Sequence, residues 1–278
     1  MQSQSNISAD LSGKVILITG AGQGIGRHFS SVLARAGATV VATSIKDEMN
    51  LLTDLVDEIT KNGGSAFALD LDLKDTQNFE NKVNEIVSRT NHIDVLINNA
   101  GISYYTKFFD IQEKDWNAHL DVNLKGAFFL SKIVAKHMVD NKIKGSIVNI
   151  GSVAGSQAKK YALPFCVSKA GLHHLTKIMA YELVDYGIRV NCISPGLYPS
   201  PRVKDYIEST AGKNMVDQIP LKRPGKYDEL NGALFLLASD SSSYMTGSIV
   251  EVDGGFAMDI FLKEDFENNN KNDFFKDY

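Results

Sequence analysis

Short runs of β-branched and apolar residues recur along this chain with helix-period segments between them, and no other feature narrows the possible folds as much. The runs read KVILITG, ATVVATS, SAFALDL, IDVLINNAG, SIVNIGS, RVNCIS and SIVEVDGG, and the intervening helical stretches include residues 25–36, 51–61 and 79–89. Strands that are apolar throughout, without alternation, are buried on both faces, as in a parallel sheet between two helical layers. Crossovers between parallel strands are right-handed, so a doubly wound α/β fold is expected. No internal repeat or linker divides the sequence, which gives a single domain over residues 11–258. Residues 1–10 form an N-terminal extension. The polar tail 259–278 mixes Phe with charged residues without periodicity, as a flexible or partner-docked extension would; a flap over the site is a third reading.

At 278 residues, with 44% hydrophobic and 22% charged content, the chain can bury a sizeable core. A net charge of −4 creates no field that would gather nucleic acid or anionic lipid. No apolar run precedes Val15 and no segment has the length of a membrane span, so a cytoplasmic protein is expected. Cys166 and Cys192 lack metal-ligand or redox spacing and read as two buried thiols in a reducing compartment. His173 and His174 have no ligand partners at useful spacing, and no metal site is expected; one histidine should pack and the other face a subunit contact.

The first strand runs into TGAGQGIG, residues 19–26. Gly20, Gly24 and Gly26 permit a tight turn through Gln23 and Ile25 and let the backbone approach a pyrophosphate. The helix that follows offers free N–H groups and its positive dipole end. A glycine string alone is weak evidence, but one set between a strand and a helix is the Rossmann dinucleotide context. The choice of dinucleotide turns on the end of the second strand, where an acid would bind a ribose 2′-hydroxyl and repel a 2′-phosphate. Thr43, Ser44, Ile45 and Lys46 stand there, so NADP(H) is favoured over NAD(H). Lys46 is equally readable as a solvated surface charge, and the nearby Asp47 and Glu48 blur the balance.

TGAGQGIG, NNAG (98–101), IVNIGS ending at Ser152, SKAG from Ser168 and SPG (194–196) occur in an order and at spacings that resemble the short-chain dehydrogenase/reductase family. The late segment IPLKRPGKYDELNGALFLLASDSSSYMTGSIVEVDGG is similar to the 3-oxoacyl-acyl-carrier-protein reductase branch. The resemblance spans 11–258 and implies an oxidoreductase that interconverts carbonyls and alcohols by hydride transfer; it does not imply a substrate. It assigns Gly20, Gln23, Gly24, Ile25 and Gly26 to the phosphate turn, with Ser44 and Lys46 near the ribose. Asp72 and Leu73 fall at the adenine, and Asn99, Ala100 and Gly101 beside the cofactor, with Asn98 stiffening the sheet. Pro195 and Gly196 border the nicotinamide, and Ser200 matches a threonine that touches its carboxamide. Asn123 matches the asparagine that holds a proton-relay water, Ser152 the serine that orients the substrate oxygen, and Lys169 the lysine that binds the ribose and lowers the pKa of the catalytic tyrosine.

That tyrosine belongs four residues before Lys169, one helical turn away on the same face, and the residue there is Phe165. Counting from Ser152 and from Lys169 reaches the same position. Tyr161, four residues earlier, is the nearest alternative, but Pro164 suits a first helical turn and restricts Leu163 to extended geometry, which leaves Tyr161 in the preceding loop. Three readings follow: an enzyme with an engineered Tyr→Phe change, a natural non-catalytic nucleotide binder on the same fold, or an enzyme that recruits Tyr161 or a substrate group as its acid. The segment after Pro195 suits a mobile lid, with Tyr198, Tyr206 and Met215, together with Tyr104 and Tyr105, lining an apolar pocket or serving as core. AFFLSKIVAKHM and AGLHHLTKIMAYEL are apolar enough to bury on two sides, as in a homodimer or homotetramer acting on a small carbonyl or alcohol.

Overall fold

The computed structural model describes residues 9–200 and 203–258. The apolar runs form one parallel sheet of β1 (Val15–Thr19), β2 (Thr39–Ser44), β3 (Ser65–Asp70), β4 (Val95–Asn98), β5 (Ser146–Ile150), β6 (Arg189–Pro195) and β7 (Ile249–Val252). Their order is β3-β2-β1-β4-β5-β6-β7. The chain builds outward from β1 in one direction and then crosses to β4 to build in the other. The connections leaving β1 and β4 therefore diverge, and a crevice opens beyond their carboxyl ends, where ligands bind in such sheets.

Every residue of β1 is buried, which explains why its sequence shows no alternation. Ile16 and Ile18 pack with Phe29 and Leu33 of α1 (Gly24–Arg35), Leu52 of α2 (Met49–Lys61) and Leu234 of the later helix Asn231–Ala238. Val15 and Leu17 face the opposite layer, with Phe79 of α3 (Phe79–Thr90) and, further along the chain, Leu130 and Met179. Fully buried residues such as Phe29 and Leu33 contribute about 1.5–3 kcal/mol each by leaving water. Helix bounds lie within about two residues of those expected from periodicity, as fraying ends allow.

After β4 come α4 (Glu113–Leu120) and α5 (Ala127–Asp140), joined without a break by a π-helical stretch, Asp121–Gly126. α6 (Leu163–Leu183) follows β5 and packs against this stretch and against the Val153–Gly155 turn. α6 includes Leu163, contrary to the extended geometry expected before Pro164; the proline sits in the first turn, where its missing N–H is no loss. The expected lid contains α7 (Lys204–Glu208) and α8 (Thr210–Asp217), the latter capped by the Ser209 hydroxyl accepting from Gly212 N–H, and α9 (Asn231–Ala238) precedes β7. The tail 259–278, the first eight residues and the Tyr206 side chain lie outside the described residues.

Asn98 and Asn149, paired across β4 and β5, tie the sheet to both helices on one face. Asn98 Nδ2 donates to Ser131 Oγ on α5 and to Asn149 Oδ1, each at 2.8 Å, and Asn149 Nδ2 donates to Thr176 Oγ1 on α6 at 2.9 Å. All four residues are buried.

Candidate active site

The glycine turn is built by close approach as much as by backbone freedom. Gly20 and Gly24 have φ of +64° and +57°, which side chains disfavour. Gly26 is required by space: a Cβ there would stand 2.3 Å from Gly20 O and 2.5 Å from Asn99 Nδ2. Asn99 Nδ2 donates to Thr19 O and Gly20 O, while Thr19 Oγ1 accepts from Asn99 and Ala100 N–H, so NNAG braces the turn from β4. At the start of α1, Gln23 makes no side-chain cap, and no acid occupies the first turn. The helix terminus is thus left to an anion.

A cavity of about 390 Å³ opens at this turn. Of the expected residues, Gly20, Gln23, Gly24, Ser44, Asp72, Leu73, Asn99, Ala100, Gly101 and Ser200 line it. Among the described residues, Lys46, Lys169, Pro195, Gly196, Ile25 and Gly26 do not. Pro195 and Gly196 are engaged with the last strand, Gly196 N–H donating to Val252 O, and Ile25 and Gly26 act from inside α1. Lys46 is exposed and lies in the field of Asp70, whose carboxyl is held low by its hydrogen bond to Lys82 and, to a smaller degree, by Lys46. Lys46, expected near the ribose, thus stands outside this cavity. Glu48 lines the cavity instead: its carboxylate accepts from the Ser44 hydroxyl and, at 3.2 Å, from Gln23 Nε2.

Two of the candidate catalytic residues meet behind Gly101, where a built Cβ would lie 3.3 Å from Asn123 Oδ1 and 3.5 Å from Lys169 Nζ. Lys169 is 5% exposed and donates to Ile150 O at 2.7 Å. Burial pushes its pKa down to about 8, with Cys192 a small opposing influence. The Phe165 ring stands one helical turn earlier, its centroid 5.9 Å from Lys169 Nζ. Ser152 caps the Val153–Gly155 turn, its Oγ accepting from Ala154 N–H and keeping its proton to donate. Asn123, expected to hold a relay water, has a side chain that makes three hydrogen bonds within the protein. Its Oδ1 accepts from Ile102 N–H, and Nδ2 donates to Ile102 O and Ser168 Oγ, so the side chain is spent on positioning. It does so from the π-helical stretch, a local distortion typical of functional sites.

His119 was not anticipated, although it lies four residues before Asn123 on one helical face. It is buried between Tyr104 and Phe165, with ring centroids at 5.3 and 6.5 Å. Its Nε2 accepts from Tyr104 N–H, and Nδ1 faces Asp115 O at 2.7 Å. A carbonyl can only accept, so the proton sits on Nδ1 and the nitrogen at Tyr104 has none to give. Tyr161 precedes α6 at φ +68°, half exposed, with Lys160 Nζ 5.3 Å from its ring centroid and its carbonyl accepting from Thr106 N–H.

Residues 20–257 match the family model for enoyl-(acyl carrier protein) reductases. The chain belongs to the short-chain dehydrogenase/reductase family. This family member is 38% identical to the 3-oxoacyl-[acyl-carrier-protein] reductase of Thermotoga maritima over 248 residues, 89% of this chain and 99% of that one. A gluconate 5-dehydrogenase from Burkholderia cenocepacia, solved with NADP and tartrate, superposes with a TM-score of 0.85 at 31% identity, covering 90% of this chain and 97% of its own. An NAD⁺-bound xylitol dehydrogenase superposes at 0.83 with 29% identity, covering 89% and 100%. Solved relatives of this chain thus include one with NADP and one with NAD⁺.

Other expectations for this chain divide. Tyr104 lines the cavity, but Tyr198 is buried, donates to Val252 O at 3.0 Å and stacks on Tyr227, so it is core. Cys192 is buried and its thiol is pushed up to about 12 by desolvation, whereas Cys166 is only half-buried. His173 packs within the wrap of Gly151 and Gly155, where a Cβ would meet its ring at 2.4 and 2.5 Å; His174 is exposed. No helix of the described residues is long and apolar enough to cross a membrane.

Proposed function

We propose that this chain is a nicotinamide-dinucleotide oxidoreductase whose proton-delivery step is attenuated by Phe165. The carrying observation is the Phe165 ring, 5.9 Å from the buried Lys169 Nζ, where a proton donor would have to stand. The cradle fits a dinucleotide: two glycines at positive φ, a third that admits no Cβ, an uncapped helix terminus and a cavity of about 390 Å³. Gly20, Gly24, Ser44, Asp72 and Gly101 would hold it, with Lys169 at the nicotinamide ribose and Ser200 near the carboxamide. When bound, the nicotinamide supplies or accepts the hydride.

The chain's own residues do the rest. Ser152 donates a hydrogen bond to the substrate oxygen and steadies the charge that grows there. Lys169 holds the ribose and biases nearby groups toward the anionic form. Asn123 fixes Ile102, and through it the Gly101 wall, against the π-helical stretch. Phe165 fills the acid's volume and has no proton to give, which forfeits about 10²–10⁴-fold in rate. With Ser152, Asn123 and Lys169 all present, one oxygen separates this site from a complete one. We therefore prefer an attenuated enzyme, its Phe natural or introduced, to a repurposed binder. Tyr161 is a poor recruit, since it lies before α6 and beside Lys160.

The earlier preference for NADP(H) loses its basis in Lys46, which does not line the cavity. A homo-oligomer is part of the proposal: Phe128 and Phe129 on α5, and Ile178 and Tyr181 on α6, are large apolar residues left 37%, 37%, 47% and 83% exposed. Calorimetric titration with both reduced dinucleotides tests the core of the reading. Binding of at least one is expected, and binding of neither would overturn it.

A further inference from the structure

We infer that His119 is a positioning residue: through the Tyr104 N–H it clamps the 101–104 wall of the cavity, so that the dinucleotide meets a surface already in place. The inference rests on the dinucleotide reading of that cavity and deepens it. Residues 99–107 leave β4 as neither helix nor strand, so no ladder satisfies their backbone groups. Groups of that kind must find side chains, other loops or water. In the stretch from 102 to 106, alternate residues do so. The Asn123 amide takes both Ile102 N–H and Ile102 O, His119 Nε2 takes Tyr104 N–H at 3.1 Å, and Tyr161 O takes Thr106 N–H at 2.8 Å. Gly101, Ile102 and Tyr104 line the cavity, so these ties hold its wall.

His119 is 1% exposed and reaches the loop from α4, one turn before Asn123. Its Nδ1 proton is committed to Asp115 O at 2.7 Å, which leaves the Nε2 lone pair for Tyr104. A flipped ring would set C–H groups against both partners, so the two bonds fix its orientation. The imidazole also packs edge-on with the Tyr104 ring, centroids 5.3 Å apart at 81°, and with the Phe165 ring at 6.5 Å and 65°. One side chain therefore joins the loop, the helix ahead of the π-helical stretch and the position where a proton donor would stand. Leucine would fill the same space, but it would leave the Tyr104 N–H without this acceptor. A wall held in advance spares the ligand the cost of ordering it.

The test compares full-length wild type, His119→Leu and His119→Gln, each checked by its melting transition. Leucine removes the acceptor and keeps the bulk, whereas glutamine carries an acceptor at a similar reach to Nε2. Amide exchange at Tyr104, followed by NMR, reads the tie, and calorimetry with NADH and with NADPH reads its use. The ordering secured by one hydrogen bond corresponds to about 2- to 12-fold. We expect His119→Leu to speed Tyr104 exchange and to weaken whichever dinucleotide wild type binds, each within that range, and His119→Gln to recover most of both. Tyr104 exchange unchanged in His119→Leu would overturn the inference and leave the dinucleotide reading intact, as would faster exchange with affinity untouched. Failure of glutamine to recover either would reduce His119 to packing and overturn it as well. The ring-nitrogen NMR signals of wild type need no variant: a proton on Nδ1 and none on Nε2 is expected, and the reverse would overturn the clamp. Binding of neither dinucleotide to wild type would remove the underlying reading, and the inference with it.

Discussion

Restoring one oxygen is the sharpest perturbation this site permits. In Phe165→Tyr the new hydroxyl extends from a ring whose centroid lies 5.9 Å from Lys169 Nζ. At that separation and an effective dielectric of about 20, a phenolate and an ammonium attract by roughly 3 kcal/mol. That corresponds to about two pKa units, enough to bring a tyrosine from about 10 toward 8. Because burial already pushes Lys169 down to about 8, the attraction also makes the lysine easier to keep charged. An acid so tuned contributes about 10²–10⁴-fold, or roughly 3–5 kcal/mol of barrier. The gain should fall on kcat, since the cofactor and substrate walls are unchanged. The assay is oxidation of NADH and NADPH against β-keto thioesters, diketones, quinones and keto sugar acids, with and without the substitution, across pH. A rise in kcat with a new ionisation near pH 8 is expected. A variant that binds dinucleotide yet reduces nothing would refute the reasoning and favour a repurposed binder. Rapid turnover by the Phe165 protein, lost in Tyr161→Phe, would refute it in favour of a recruited acid.

Three further outcomes follow from the packing. Burying Lys169 with its pKa near 8 rather than 10.5 costs stability below pH 8, and the penalty fades as pH rises toward 10.5. Denaturant titrations should therefore show Lys169→Met gaining on wild type at pH 7, with that advantage about 3 kcal/mol smaller by pH 10.5; a pH-independent difference would contradict it. Gly26→Ala forces a methyl against Gly20 O and Asn99 Nδ2 and should cost about 1–3 kcal/mol and at least about tenfold in dinucleotide affinity, by chemical denaturation and calorimetry. Light scattering at micromolar concentration should give a dimer or tetramer, and a monomer would end the pairing of α5 and α6.

What could be read in the sequence was whatever local chemistry dictates. Val15–Thr19 announced a strand because every residue is buried, and the glycine turn announced itself through its place between strand and helix. Phe165 and Lys169 could be related because an α-helix fixes their spacing before any tertiary contact forms. Glu48 could not be placed in the same way: the 3₁₀ turn that folds it back on Ser44 depends on how β2 hands over to α2. His119 was invisible because its role comes from two backbone partners, Tyr104 N–H and Asp115 O. Tyr198 read as pocket lining, but its hydroxyl reaches Val252 O on β7, a contact that only the sheet order creates.

The Asn98–Asn149 pair has a consequence for how the sheet assembles. Strands apolar on both faces carry no alternation to say which residue belongs opposite which, so burial alone tolerates sliding of one strand along another. Sliding β4 by one residue would set Asn98 against Val148 and turn its amide away from Ser131 and Asn149. Each polar group orphaned in that way costs about 1–3 kcal/mol, whereas the aliphatic neighbours lose little. Mispaired alignments of β4 on β5 are thereby penalised at a single rung, and that rung adjoins NNAG, where an error of one residue would carry Gly101 away from Lys169.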